Sequence, residues 1–191
     1  RGVTLDLFDG KLSSTVSYYD IKLTNVLRTD AEHTAQYAQL QDGTQLSRGI
    51  EAEVIANPAK GLNVIAGFSY NDSKYTQADA DVIGRRPGTA ASPYTANFYA
   101  SYRFPETAVK GLGFGFGGNY ASDNKIINGV SQGVFIIPSY TIFNATAFYD
   151  QKKYRINFAV NNLANKEYWV GYTTLNPQML RQLVLSLTYK F

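Results

Sequence analysis

Apolar side chains recur at every second position through most of this chain, and the final stretch LVLSLTYKF (183–191) shows the pattern most openly. Leu183, Leu185, Leu187, Tyr189 and Phe191 share one face, while Val184, Ser186, Thr188 and Lys190 share the other. A period of two predicts a β-strand with unlike surroundings on its two sides. The same parity sets Leu62, Val64, Ala66, Phe68 and Tyr70 against Asn63, Gly67, Ser69 and Asn71. It sets Tyr94, Phe98, Tyr102 and Phe104 against Thr95, Asn97, Ser101 and Arg103, and Tyr154, Ile156, Phe158 and Val160 against Arg155, Asn157 and Asn161. Ile50, Ala52 and Val54 oppose Glu51 and Glu53. The strand at 11–27 alternates less cleanly, and its faces are not assigned from the pattern.

Strands are expected over 1–8, 11–27, 44–57, 61–76, 92–104, 111–123, 137–150, 153–163 and 178–191. Most run to roughly 11–16 residues, where soluble strands average about 5–6. Short turns (FDGK, NPAKG, PETAVKG, DQKK) alternate with long polar loops at about 28–45, 77–91, 123–136 and 164–178. Tight turns at one end and long loops at the other are the layout of an outer-membrane β-barrel. A soluble sandwich would also show period two, but the polar face here carries Glu51, Glu53, Arg103 and Arg155, which suit a wet interior. Aromatic residues at strand ends (Tyr70, Tyr94, Phe104, Tyr149, Tyr189, Phe191) suit a headgroup-level girdle. Apolar outside and polar inside points to lipid. Bacterial barrels close with even strand numbers, and an open edge in hydrocarbon leaves backbone groups unsatisfied. The nine strands are therefore expected to belong to a larger barrel whose earlier strands lie upstream. The pattern opens mid-strand, without an initiating Met, consistent with that expectation.

Composition narrows the function classes. The chain has no cysteine and one histidine, His33, which excludes a disulfide framework or thiolate metal site and disfavours histidine-based chemistry. Net charge is +3 over 191 residues, with scattered basic positions, so nucleic acid is not an expected partner. No apolar run reaches the length of a membrane-spanning helix. No acid/base cluster suggests an enzyme. GFGFGG (113–118) reads as a strand, not a phosphate loop, and its inward glycines would let something bulky approach the wall.

Several elements together resemble the C-terminal barrel half of TonB-dependent outer-membrane receptors, the ferric-siderophore receptors in particular. They are SRGIEAE (47–53), LNVIAGFSYNDSKY (62–75), SPYTANFYASYRF (92–104), IPSYTIFNATAFY (137–149) and VNNLANKEYW (160–169). Asn144 stands where the family pattern has Asp, and NPQMLR (176–181) where a G-x-P-R turn is usual. The resemblance implies an all-β, transmembrane antiparallel barrel of 22 strands filled by an N-terminal plug, of which this chain supplies about nine C-terminal strands. It implies an outer-membrane location in a Gram-negative bacterium, import of a ferric siderophore, and coupling to the TonB complex through an upstream region. Iron enters only inside the bound chelate, so no cofactor is expected. Cobalamin, haem or an oligosaccharide as cargo, and a diffusive porin, remain as alternatives.

Candidate ligand residues lie in the long loops. Arg85 and Arg86, in IGRRPG, either attract an anionic ferric chelate or lipopolysaccharide phosphates, or solvate a turn ended by Pro87 and Gly88. Tyr168, Trp169 and Tyr172 either pack on a siderophore or pack the loop, and Tyr75 is a further candidate of that kind. Glu51 and Glu53 either solvate the lumen or pair with basic groups of a plug. His33 reads as a solvated loop residue. Tyr189 and the terminal Phe191 resemble the signal read by the barrel assembly machinery, and serve equally as girdle residues.

Overall fold

The structure is a computed structural model and describes residues 1–29, 38–105, 109–171 and 174–191. His33 and Tyr172 therefore lie outside the described residues. In chain order the strands are β1 (Gly2–Leu7), β2 (Leu12–Thr29), β3 (Gln39–Ala59), β4 (Leu62–Gln77), β5 (Tyr94–Arg103) and β6 (Leu112–Ala121). They continue with β7 (Asn124–Asn128), β8 (Val134–Ile137), β9 (Tyr140–Asp150), β10 (Tyr154–Asn161), β11 (Trp169–Val170), β12 (Asn176–Pro177) and β13 (Gln182–Tyr189). Nine of them form one sheet, in the order β1-β2-β3-β4-β5-β6-β9-β10-β13, every pair antiparallel. β7 with β8, and β11 with β12, are separate two-stranded ribbons inside the long loops.

All nine expected strands are present, with shifted ends. β2 and β3 run farther into the loop than the polarity of the DGTQ stretch suggests, because Gln39–Thr44 pair with the end of β2 across two bulges. The bidentate ion pair of Arg28 with Asp42 (2.5 and 2.9 Å) holds that extension together. The two ribbons interrupt stretches expected to be plain loop. Residues 178–181, expected to be strand, precede β13 instead.

Directly paired residues point to the same face, so the register assigns every strand, β2 included. Tyr18, Ile50, Tyr70 and Tyr94 form one row across β2–β5. The Tyr70 and Tyr94 rings stand 4.9 Å apart. Near the turn end, Tyr102, Phe114, Ala147, Phe158 and Leu185 form another row across β5, β6, β9, β10 and β13. The apolar face thus runs between an upper ring of tyrosines and a lower ring containing Tyr102, Phe104, Tyr149, Tyr154, Tyr189 and Phe191. Ring contacts join Tyr102 to Phe104, Tyr149 to Tyr154 and Tyr189 to Phe191.

Among the described residues no second sheet lies against this face. Among the described residues, Ala121, Ile137 and Ile142 are the buried hydrophobics, while Leu185 and Leu187 are each 73% exposed. A soluble sandwich would bury those leucines in a core. Only a lipid solvent makes the exposure favourable.

The inward face is polar, and its glycines have a different use from the one expected. Gly113, Gly115 and Gly117 of β6 do not leave open space for an incoming domain. A Cβ on Gly115 would run into the Tyr99 hydroxyl and meet Thr146 Cγ2 at 2.7 Å, and one on Gly113 would run into the Phe148 ring. Rings from the flanking strands β5 and β9 lie over the bare backbone of β6. Tyr19 lies over Gly49 in the same way. At the turn end, Gly61 and Gly111 take left-handed φ values of 85° and 92°, which glycine tolerates without Cβ strain.

Gly115→Leu in the full-length protein is expected to cost about 1–3 kcal/mol, the range for overpacking. The check is the urea midpoint of the heat-modifiable electrophoretic band. Adding Tyr99→Ala should recover part of the loss, since it removes the group that the new side chain meets.

Candidate functional site

At the loop end three connections converge on the inward face. The β4–β5 loop (78–93) folds back along the edge of β4 beyond its pairing with β5, with the Tyr75 N–H donating to Arg85 O (3.0 Å) and the Gly84 N–H to Tyr75 O (2.9 Å). Arg86 then reaches the wall. Its guanidinium donates to Asn71 O and Asn71 Oδ1, both at 2.8 Å, and to Ala91 O. Asn71 in turn donates to the Tyr19 hydroxyl (2.8 Å) and Ser47 Oγ (2.9 Å), and Ser73 Oγ donates to Asn71 Oδ1 (2.8 Å). Burial pushes the Arg86 pKa below its ordinary value, against the pull of Asp72, and its buried Nε has no partner. Pro87, next in the chain, is fully buried.

The β7–β8 ribbon docks onto this loop. Asn128 accepts from Arg85 Nη1 (3.2 Å) and donates to Arg86 O (3.0 Å), and Asn124 donates to Ala90 O (3.0 Å). Asp81 receives the Ser131 backbone N–H at 2.5 Å, and its backbone oxygen receives the Val130 N–H at 3.0 Å. The Ser131 contact holds the Asp81 carboxyl below the usual carboxylate range.

The third connection, between β10 and β13, is organised by asparagines. Asn162 and Asn165 adopt left-handed φ values of 53° and 54°, which Asn accommodates better than most residues. Asn162 is 3% exposed; its amide donates to Lys166 O (2.8 Å) and Met179 O (3.2 Å), and its Oδ1 accepts the Lys166 N–H (2.8 Å). Asn165 Oδ1 accepts the Arg181 N–H at 2.8 Å. Asn144 Oδ1 accepts the Asn162 N–H at 2.9 Å, so the amide oxygen fills the acceptor role that an aspartate could also take. This loop places Tyr168 against Tyr140 of β9, ring centres 4.5 Å apart.

Two open clefts share Tyr140. One, of about 470 Å³, is lined by Tyr140, Tyr168, Ile142, Asn119, Asn161 and Gln182, among others. The other, of about 460 Å³, carries Trp169 and Ile137 opposite Thr89–Ser92 of the β4–β5 loop. Among the described residues no charged side chain lines either cleft. Among the described residues no group of His, Cys, Asp or Glu could hold a metal ion. The arrangement offers ring faces and neutral hydrogen-bonding groups.

Tyr168 lines the first cleft and Trp169 the second, with Tyr140 common to both. Arg85 faces Asn128, Arg86 is engaged with the wall, and Tyr75 sits under the folded-back loop, outside both clefts. Tyr140 was not singled out from the sequence. Its parity with Asn144 put it on the inward face, but only the loop packing shows that a second ring lies against it.

Arg86→Met should remove the donors to Asn71 O and Ala91 O, costing about 1–3 kcal/mol and raising hydrogen exchange across 84–91. The Asp81 contact has a defined pH dependence. A depressed folded-state pKa means its contribution is complete above the ordinary carboxylate value of about 3.9 and fades as pH falls below it. Protection of the Val130 and Ser131 amides should drop in that window, and Asp81→Asn should flatten the dependence.

Comparison with known proteins agrees with this architecture. The family model described as TonB dependent receptor-like, beta-barrel matches residues 2–163. The chain is 28% identical to the ferrichrome outer membrane transporter/phage receptor of Escherichia coli K12, over 96% of this chain and 25% of that protein. It is 26% identical to the metal-pseudopaline receptor of Pseudomonas aeruginosa, over 100% of this chain and 27% of that one. The ferripyoverdine receptor of the P. aeruginosa outer membrane, solved with ferripyoverdine bound, superposes with a TM-score of 0.78 at 23% identity, covering 97% of this chain and 26% of that one. The chain thus spans about a quarter of the length of these relatives. With sheet order, inverted polarity and family model in agreement, the chain belongs to the TonB-dependent receptor-like β-barrel family.

Proposed function

We propose that this chain is the C-terminal portion of the wall of an outer-membrane receptor that binds a ferric siderophore from outside and imports it. The observation that carries the reading is the uncharged aromatic cleft pair around Tyr140, Tyr168 and Trp169 at the loop end of a lipid-facing sheet. Relatives named for ferrichrome, ferric pyoverdine and ferrioxamine support a ferric chelate as cargo. In this reading the remaining strands and a plug complete a 22-stranded barrel, and the TonB complex drives transport through a region outside this chain. Iron is cargo, not cofactor, and the protein performs no covalent chemistry.

Each candidate residue takes a role. Tyr168 and Trp169, with Tyr140, contact the chelate, and Tyr172 of the same loop joins them. Arg85, Arg86 and Tyr75 shape the loop that walls the cleft. Tyr189 and Phe191 serve at once as lower-girdle residues and as the signal for the barrel assembly machinery. Lipopolysaccharide surrounds the upper tyrosine ring.

Binding to the purified full-length receptor tests this. A ferric siderophore should quench intrinsic fluorescence saturably, with cobalamin, haem and oligosaccharides inert. Combined Tyr168→Ala and Trp169→Ala should weaken binding about tenfold, matching the loss of about 1.4 kcal/mol of ring contact. Saturable binding of cobalamin or haem instead would reassign the cargo. Steady ion conductance in planar bilayers would favour a porin.

A further inference from the structure

The outward face changes character abruptly above the upper tyrosine row. Below it, the outward positions of β2, β3 and β4 carry no charge, from Leu12, Ala56 and Val64 up to Tyr18, Ile50 and Tyr70. Two residues above that row, register sets Asp20, Arg48 and Asp72 side by side. Two residues higher again it sets Lys22, Leu46 and Lys74 side by side. The lower of these charged rows is engaged within itself: Arg48 Nε donates to Asp20 Oδ2 at 3.0 Å, and Asp72 flanks Arg48 on the other strand. The upper row is different. Lys22 and Lys74 are exposed, and among the described residues neither has a carboxylate within ion-pair distance.

Height identifies what these lysines meet. A rise of about 3.4 Å per residue and a strand tilt of about 40° put the lysine row about 10 Å above the tyrosine row along the membrane normal. Interfacial rings sit at the headgroup level, so the lysine row lies within the polar headgroup layer, with its ammonium groups free to rise. Lys22 and Lys74 stand on strands separated by β3 alone, about 10 Å apart across Leu46. Two long side chains at that spacing can converge on one anion.

We infer that Lys22 and Lys74 form a site on the outward wall for a headgroup phosphate of lipopolysaccharide in the outer leaflet. The inference rests on the outer-membrane reading of this chain. Phosphate is the anion that a headgroup layer presents at this height, and ammonium groups bind it as point charges. A second copy of the chain fits the row poorly. It would have to offer carboxylates at the lysine height, whereas the acids of these three strands stand one row lower, beside Arg48.

Lipid titration onto the full-length receptor, delipidated and placed in nanodiscs of zwitterionic lipid, tests the site. Bis-phosphorylated lipid A should bind saturably, and lipid A stripped of both phosphates about tenfold more weakly. Lys22→Gln/Lys74→Gln should weaken binding of the phosphorylated form by about the same factor, tenfold. That variant should keep the heat-modifiable band and its cargo binding. Lys22→Arg/Lys74→Arg should restore most of the lipid binding. Equal binding by the Gln variant, or by the dephosphorylated lipid, would overturn the inference. Competition by millimolar inorganic phosphate that abolishes the difference would also overturn it, leaving a site for free anions. A receptor dimer lost in the Gln variant would assign the face to a second copy instead. A full-length protein absent from the outer-membrane fraction fails at the earlier step, in the reading of where the chain resides.

Discussion

A backbone that meets hydrocarbon has no water to fall back on, and that constraint organises everything else in this chain. Each N–H and C=O left unpaired in lipid costs several kcal/mol. The response is a nine-strand antiparallel ladder, interrupted only by local register shifts in the β2–β3 and β3–β4 pairs among the described residues. With the backbone satisfied by its neighbours, side chains need not form a core, and almost none do. The leucines of β13 are stable because they are exposed, provided the solvent is lipid. The two edge strands, β1 and β13, each have a partner on one side alone. The same constraint therefore assigns the sheet to a larger closed wall.

Freed from core packing, the inward face is graded along the strand axis. Neutral amides and rings line the loop-end clefts, two glutamates line a recess of their own, and Lys11, Lys60, Arg103 and Arg155 line the turn-end cleft with Asp150. Glycine is what makes room on this face. Across β6 it lets Tyr99 and Phe148 lie flat against the wall, and at Gly49 it does the same for Tyr19. The rings close over the bare strand, and in turn carry polar groups inward, as Phe148 carries the Arg155 guanidinium.

The loop end is held by hydrogen bonds alongside the apolar burial of Ala121, Ile137, Ile142 and Pro87. Arg86 and Asn71 tie the β4–β5 loop to the wall, Asp81 and Asn128 tie the β7–β8 ribbon to that loop, and Asn162 with Asn165 shapes the last connection. These contacts tie the loops that carry the aromatic lining to the wall through buried polar groups such as Asn162 and Asn124. Residues that look like ligand-seeking cations in the sequence are thus partly structural: both Nη atoms of Arg86 donate to oxygens of its own chain.

Parity along the strands was enough, by itself, to determine the strand count, the lipid face, the polar lumen and the alternation of turns and loops. A period of two has only two phases, and in LVLSLTYKF only one of them is apolar. The pattern left β2 undecided, because Ser14 shares the outward face with Leu12 and Val16, and Asp20 and Lys22 follow Tyr18; pairing with Ile50 and Ala52 settles it. Tertiary structure alone decided where the loops fold, that the Tyr140 ring packs against Tyr168, that Arg86 turns inward, and that the glycine stripe is covered by its own neighbours. The physical reason is range. Alternation is written between adjacent residues, whereas Tyr140 and Tyr168 meet only after β10 and a loop shaped by Asn162 bring them together.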